Sequence, residues 1–393
     1  MTTNELKESF VALYGGSADD LRVFSAAGRV NLIGEHIDYC GGSVFPAALT
    51  LSCTAAVRLN GTDWIRLGAD DLEDVYTFSL RDPQAGKRLK WGNYQAGVIN
   101  ALLEEGYLIR GMDFLFTGNI PFGSGLSSSA AIELTTAVAA ATLSENYEEK
   151  GLDLIRMAQL GQLAEHTFCG VNCGIMDQFA SAMGKRDHAI LLDCASLNYK
   201  YVPLALGDYT LVLANTCKKH ALGASEYNKR REEVAEGLRR LNAALGENRA
   251  NLCDFSEAEY AAAEARLGPD KVKDRVKHVI FENERVKRAV SALENGNLKA
   301  FGTILCEAHA SIRDLYEVTG PELDTMFEIA SHTDGCIGAR MTGAGFGGWT
   351  VNIVRKESAE AFIRDVGRAY TQRTGIVPEF YLCTAGDGAR ELF

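Results

Sequence analysis

Three glycine-rich segments hold the residues best suited to chemistry. The middle one runs Pro121-Phe122-Gly123-Ser124-Gly125-Leu126-Ser127-Ser128-Ser129, after the apolar run Phe114-Leu115-Phe116 and before Ala131, Leu134, Val138 and Ala141 at helical spacing. A glycine loop that feeds a helix N-terminus presents unpaired N–H groups and the positive end of the helix dipole, which suits phosphate. Gly123 and Gly125 would let a ligand approach the backbone, and the serine hydroxyls add donors or a ligand for a magnesium ion. No Gly-Lys-Ser/Thr follows, so this is not a Walker loop. The same residues also fit a plain serine-capped helix after a tight turn.

The N-terminal segment, from Gly28 to Gly42, concentrates Arg29, Asn31, Glu35, His36 and Asp38 between glycines. Glu35, His36 and Asp38 would make a hydrogen-bonding comb for a polyhydroxylated ligand; by itself, the segment fits an ordinary surface loop better. The C-terminal segment contains Gly-x-Gly-x-x-Gly at Gly343, Gly345 and Gly348. A dinucleotide fingerprint opens a helix, whereas Trp349-Thr350-Val351-Asn352-Ile353-Val354 follows here, a β-branched strand. This segment is therefore a loop packed against a ligand or against the middle segment, or a simple strand connection. Asp177 taken alone is one carboxylate in a helical stretch. His166, Cys169 and Cys173 lack the fourth partner that structural zinc wants. Trp91 and Tyr94 read as core aromatics rather than as walls for a nucleotide base.

The elements that must position these residues are mixed. Short β-type runs at 44–59, 114–116, 190–192, 210–214, 349–354 and 380–383 alternate with helical patterns, which predicts an α/β or α+β chain. Residues 224–246 predict an amphipathic surface helix whose charges form a solvated face. The length of 393 residues suggests two domains, divided near residue 195 into 1–195 and 196–393. Forty Lys and Arg oppose 52 Asp and Glu for a net charge of −12, which argues against a nucleic-acid binder and a charge-held membrane protein. An anionic ligand must then be met locally, by backbone amides, a metal or a few arginines. The opening MTTNELKESF shows no secretory pattern, no apolar run reaches membrane-spanning length, and the ten cysteines read as reduced thiols. The expected location is cytoplasmic.

Taken together and in order, these segments resemble the GHMP family of small-molecule kinases, and within it the galactokinase branch. The resemblance is carried by Gly28-Arg29-Val30-Asn31-Leu32-Ile33-Gly34-Glu35-His36 with Asp38-Tyr39, by the run from Gly123 to Ser129, by Gly174-Ile175-Met176-Asp177-Gln178-Phe179, by Ser225-Glu226-Tyr227-x-x-Arg230-Arg231, and by Met341-Thr342-Gly343-Ala344-Gly345-Phe346-Gly347-Gly348. It implies a two-domain α/β (α+β) fold, with a ribosomal-protein-like N-terminal domain, a ferredoxin-like C-terminal domain and the active site in the cleft between them. The implied reaction is phosphorylation of the anomeric hydroxyl of D-galactose by ATP with Mg2+, giving α-D-galactose 1-phosphate and ADP.

By the same resemblance Asp177 would accept the sugar proton, and Arg29 would stabilise Asp177 and the transferring phosphoryl group. Glu35, His36, Ile37, Asp38, Gly174 and Tyr227 would surround the sugar. Gly123, Ser124, Gly125, Leu126, Ser127, Ser128 and Ser129 would wrap the triphosphate, with Ser129 and Glu165 on Mg2+. Ile37 and Cys40 stand where the galactokinase signature usually has Thr and Asn, and look like the variant of N-acetylgalactosamine kinases, an alternative substrate reading. A non-enzymatic sugar- and ATP-binding regulator is the other alternative; the complete run from Ser127 to Ala131, with Arg29 and Asp177, favours the enzyme. The family analogy implies a monomer or weak homodimer.

Overall fold

The computed structural model describes residues 1–121, 125–218 and 223–393. Six strands form the first sheet, in the spatial order Arg390–Leu392, Arg22–Asn31, Pro46–Leu59, Met112–Gly118, Trp64–Ala69 and Tyr76–Ser79. Neighbours are antiparallel except Trp64–Ala69 and Met112–Gly118, which run parallel. A second sheet orders Cys336–Thr342, Trp349–Arg355, Tyr209–Asn215 and Glu379–Cys383, all antiparallel. Its core is built with Met326, Phe362, Val366 and Tyr370 of the helices Pro321–His332 and Ala359–Thr374. The third sheet contains Ser43–Val44, His188–Asp193 and Tyr199–Pro203. The division expected near residue 195 falls in the turn between its last two strands. The mixed α/β architecture matches the alternation seen along the chain, and no helix among the described residues is long and apolar enough to cross a membrane.

The strand Arg22–Asn31 is irregular where it matters most. Ala27 faces Ser52 while Arg29 faces Ala48, so Gly28 alone opposes three partner residues. Such irregularities bend a strand and re-aim its side chains. A Cβ on Gly28 would lie 2.7 Å from the Leu126 carbonyl oxygen, to which the Arg29 amide donates at 3.1 Å. Only glycine lets the middle glycine segment lie this close to the strand.

The helix Ser128–Thr142 crosses this sheet and is buried on nearly all sides, which its Ala-rich sequence SSAAIELTTAVAAAT permits. Its buried hydroxyls are satisfied locally: Thr135 donates to the Ala131 carbonyl at 2.8 Å, and Thr136 to that of Ile132 at 2.7 Å. The amphipathic helix expected at 224–246 is Gly223–Leu245. Its charges are not all solvated. Arg230 is buried, donating from Nε to the Tyr316 carbonyl at 2.9 Å and from Nη2 to that of Glu317 at 3.1 Å. A neighbouring turn offering bare carbonyls overrides the local pattern here.

Glycine also sets the tightest helix–strand contact. Within the helix Leu298–Ser311, a Cβ on Gly302 would lie 2.0 Å from the Ile337 carbonyl oxygen, and Gly338 faces Gly302 in turn. Both sides of this crossing are backbone, so neither yields by rotating a side chain. Gly302→Ala is expected to destabilise the protein by about 1–3 kcal/mol, the usual cost of overpacking, read as a Tm several degrees lower in thermal melts. An unchanged Tm would show that the crossing has slack.

Candidate active site

Arg29 and Asp177 form the centre of the site. Arg29 leaves its strand just after the irregularity and is buried. Its Nε donates to Asp177 Oδ1 at 2.9 Å and its Nη2 to Oδ2 at 2.8 Å, a bidentate fork. Its Nη1 donates to the Gly125 carbonyl at 2.6 Å. Asp177, in the first turn of the helix Met176–Met183, also accepts from Ser127 Oγ at 2.5 Å on Oδ2. A carboxylate has about four acceptor positions, so these contacts leave one lone pair on Oδ1. The Asp177 side chain remains 30% exposed, on the wall of a cavity of about 240 Å³.

That cavity gathers most of the residues singled out in the sequence: Arg29, Glu35, His36, Asp38, Ser129, Glu165, Gly174, Asp177 and Tyr227 all line it. Asp38 presents its carboxylate against Gly174, where a Cβ would fall 1.8 Å from Asp38 Oδ2. Burial and the charge of Asp177 push the Asp38 carboxyl up to about 6. His36, held at φ +63°, has both ring nitrogens engaged. Nε2 lies 3.1 Å from the Ala344 carbonyl, so it carries the proton, and Nδ1 accepts from the Tyr39 hydroxyl at 2.6 Å. Burial lowers its pKa to about 3, which keeps the ring neutral. Glu35 is buried, pairs with Arg340 and accepts from the Gly343 amide at 3.1 Å; burial pushes its carboxyl up. The comb of three polar groups thus presents Asp38 as its more open carboxylate, beside Glu35 with one protein partner on each carboxylate oxygen and His36 with both ring nitrogens engaged.

Ile37 does not join them. It is fully buried in the core, against Gly42, and is absent from the cavity wall. Cys40 is buried too, with its thiol 3.9 Å from the His36 carbonyl. The alternation within a turn as tight as residues 34–42 cannot be read from residue types, and the side chain of Ile37 does not take the place beside the sugar that the family resemblance implies.

Ser128 and Ser129, at the start of the helix Ser128–Thr142, stand between this cavity and a second one of about 330 Å³. Ser129 lines the first and Ser128 the second. Trp91, Phe116, Ile120 and Ile132 give the second cavity apolar walls, with Ser52, Asp70, Asp71 and Thr117 at its polar edge. Trp91 packs against the core as expected and also forms part of the cavity wall, and its buried indole N–H has no partner among the described residues. Gly123 and Ser124 lie outside the described residues. Ser127 has φ +61° and makes no side-chain cap, because its hydroxyl is spent on Asp177. The plain serine-capped helix is thereby excluded, and the helix N-terminus keeps its amide donors for a ligand. Gly343 approaches the same segment: its Cβ would lie 2.9 Å from the Gly125 carbonyl oxygen. The C-terminal segment thus joins two paired antiparallel strands, packs on Gly125 of the middle segment and lines the cavity with Gly343 and Ala344.

Glu165 and Asp177, twelve positions apart, reach one cavity because the chain reverses at Gly170, φ +71°. Glu165 accepts a hydrogen bond from Ser129, and burial raises its pKa. Behind it, Gln178 Nε2 donates to Glu133 Oε2 at 3.0 Å. Glu133 and Gln178 were not picked out from the sequence. The available signal was a glutamate inside an otherwise apolar helix, since fully buried carboxyls are almost always partnered. A hydroxyl and a carboxylate side by side supply hard oxygen donors of the kind Mg2+ takes, and an ion carried on phosphates needs only one or two protein ligands.

Comparison with known proteins gives the same picture along the whole chain. Residues 8–59 match the galactokinase galactose-binding signature, residues 93–185 the N-terminal domain of GHMP kinases and residues 289–372 their C-terminal domain. The galactokinase of Clostridium tetani is 45% identical over 393 residues, covering 100% of this chain and 98% of that one. The galactokinase of Bacillus subtilis is 42% identical over 391 residues, covering 99% and 98%. Among solved structures, the Lactococcus lactis galactokinase complexed with galactose superposes with a TM-score of 0.94 at 39% identity, covering 99% of both chains.

Proposed function

The chain belongs to the galactokinases of the GHMP kinase family, and on that premise we propose how its residues carry out the phosphorylation of galactose by ATP. The reaction moves the γ-phosphoryl group to the anomeric hydroxyl, leaving α-D-galactose 1-phosphate and ADP. The single observation that supports the assignment of roles is the placing of a helix N-terminus between a polar and an apolar cavity, with the Arg29–Asp177 fork beside it.

Galactose occupies the polar cavity, with Asp38, Glu35 and Tyr227 around its hydroxyls and the Gly174 backbone beside Asp38. His36 shapes this wall rather than titrating. The adenine ring lies between the apolar walls of the second cavity, where the unpaired Trp91 N–H can donate to it. The triphosphate crosses residues 125–129 at the positive end of the helix Ser128–Thr142. Ser129 and Glu165 would hold Mg2+, which when bound neutralises phosphate charge and aligns the γ-phosphoryl group. Asp177 Oδ1 has the free lone pair and takes the proton of the anomeric hydroxyl. Arg29 fixes the direction of that lone pair, and its positive charge opposes the negative charge developing on the phosphoryl oxygens.

ADP release with MgATP, compared for galactose, N-acetylgalactosamine and glucose, tests this reading; turnover is expected to favour galactose, since Ile37 and Cys40 do not reach the cavity. Binding of sugar and ATP without turnover would indicate a regulator instead. Asp177→Asn is expected to lower kcat by about 10²–10⁴-fold with ATP affinity, measured by calorimetry, within about twofold. Arg29→Ala is expected to lower kcat more than it raises the KM for galactose. The pH profile has a definite sign. Asp38 titrates near 6 in the free protein, and a protonated carboxyl loses acceptor capacity. Log kcat/KM for galactose should therefore fall with unit slope below about pH 6. Asp38→Asn should flatten that limb; a wild-type profile level down to pH 5 would show that Asp38 need not be ionised.

A further inference from the structure

We propose that Arg340 is a positioning residue for sugar binding, acting through Glu35; this rests on the reading of Glu35 as a sugar-binding group. Arg340 lies on the strand Cys336–Thr342 of the second sheet, far along the chain from Glu35, and its side chain is 0% exposed. Its Nη1 donates to the Leu32 carbonyl at 3.1 Å and the Asn31 carbonyl at 3.4 Å, and pairs with Glu35 Oε2. Its Nη2 stands 3.8 Å from Glu282 Oε1, and Glu282 in turn accepts from the Gly34 amide at 3.1 Å. The guanidinium thus grips the turn that carries Glu35 at three places: the carbonyls before it, its carboxylate, and its Gly34 amide by way of Glu282.

Residues 342 and 343 complete the grip. Thr342 Oγ1 donates to the Asn31 carbonyl and accepts from the Asn31 amide, both at 3.1 Å, while the Gly343 amide donates to Glu35 Oε1. One partner on each carboxylate oxygen fixes the plane of Glu35 and leaves each oxygen a lone pair for a sugar hydroxyl. An arginine serving stability alone would be expected to spend all five donors when fully buried. Arg340 leaves Nε and Nη2 without a hydrogen-bond partner among the described residues. What it does satisfy is concentrated on the segment 31–35. Lysine, a point charge without the planar fork, cannot hold the Leu32 carbonyl and the Glu35 carboxylate in the same geometry.

The test is a steady-state comparison of Glu35→Gln, Arg340→Lys and the double variant Arg340→Met/Glu35→Gln, each checked by thermal melting. Arg340→Lys is expected to raise the KM for galactose about tenfold, the effect of misplacing one hydrogen bond to a charged group, with the KM for ATP within about twofold. The double variant leaves Glu35 uncharged opposite an apolar side chain and answers the same question if the lysine variant does not fold. Its KM for galactose should match that of Glu35→Gln within about twofold, because a residue acting only through Glu35 adds nothing once Glu35 is altered. A folded Arg340→Lys enzyme with native KM for galactose, equal rises in both KM values, or a double variant whose losses multiply would overturn the proposal. A native KM for galactose in Glu35→Gln would instead remove the reading of Glu35 itself, and the proposal with it.

Discussion

A guanidinium with almost no access to water must find its partners in the protein, and the way Arg29 does so organises the site. Its three nitrogens are divided between the two oxygens of Asp177 and the Gly125 carbonyl, which brings a strand, a helix and a glycine segment to one point. Ser127 adds the fourth connection by giving its hydroxyl to Asp177. In a medium of low dielectric each of these contacts is stronger than in water, and each is costly to leave unmade. The break in the strand at Gly28, the left-handed Ser127 and the absence of a side-chain cap on the helix Ser128–Thr142 are all local departures from regular structure that this joint requires.

The same economy explains how a chain of net charge −12 accommodates a polyanion. In the proposed reading, charge would be matched where it arises, with uncapped amides at the start of a helix, a buried arginine, and a hydroxyl–carboxylate pair suited to Mg2+. Four carboxylates line one polar cavity, and the repulsion between two of them, Asp38 and Asp177, is part of what raises Asp38. From the far end of the chain, Gly343 and Ala344 complete the cavity wall, and the contacts of residues 340–343 with residues 31–35 join the two sheets.

Much of this was legible before the coordinates. The alternation of apolar runs announced an α/β chain, and the helices Ser128–Thr142 and Gly223–Leu245 follow their apolar spacing closely. The three glycine segments stand out because glycine marks places where backbone approaches backbone or ligand. Other features were illegible for a common reason: they depend on a neighbour far away in sequence. Arg230 is buried because the turn at Tyr316 and Glu317 exposes carbonyls to it. Trp91 becomes a cavity wall only when Phe116, Ile120 and Ile132 are set opposite it. Glu133, inside an otherwise apolar helix, finds its partner only where the fold sets Gln178 beside it.

The sequence by itself determined which residue types were available and in what order: an arginine after a glycine, a comb of polar groups, a serine-rich helix start, a lone aspartate and a late glycine cluster. These are properties of short segments, where chemistry and spacing are carried by the same few residues. Tertiary structure alone decided which of them face one another. It committed His36 and Glu35 to protein partners, turned Ile37 inward, left Asp38 open, and set Asp177 on Arg29 with one acceptor position free. Orientation within a tight turn and pairing between distant segments follow from how burial and hydrogen bonding are satisfied across the whole molecule, and no local pattern encodes that balance.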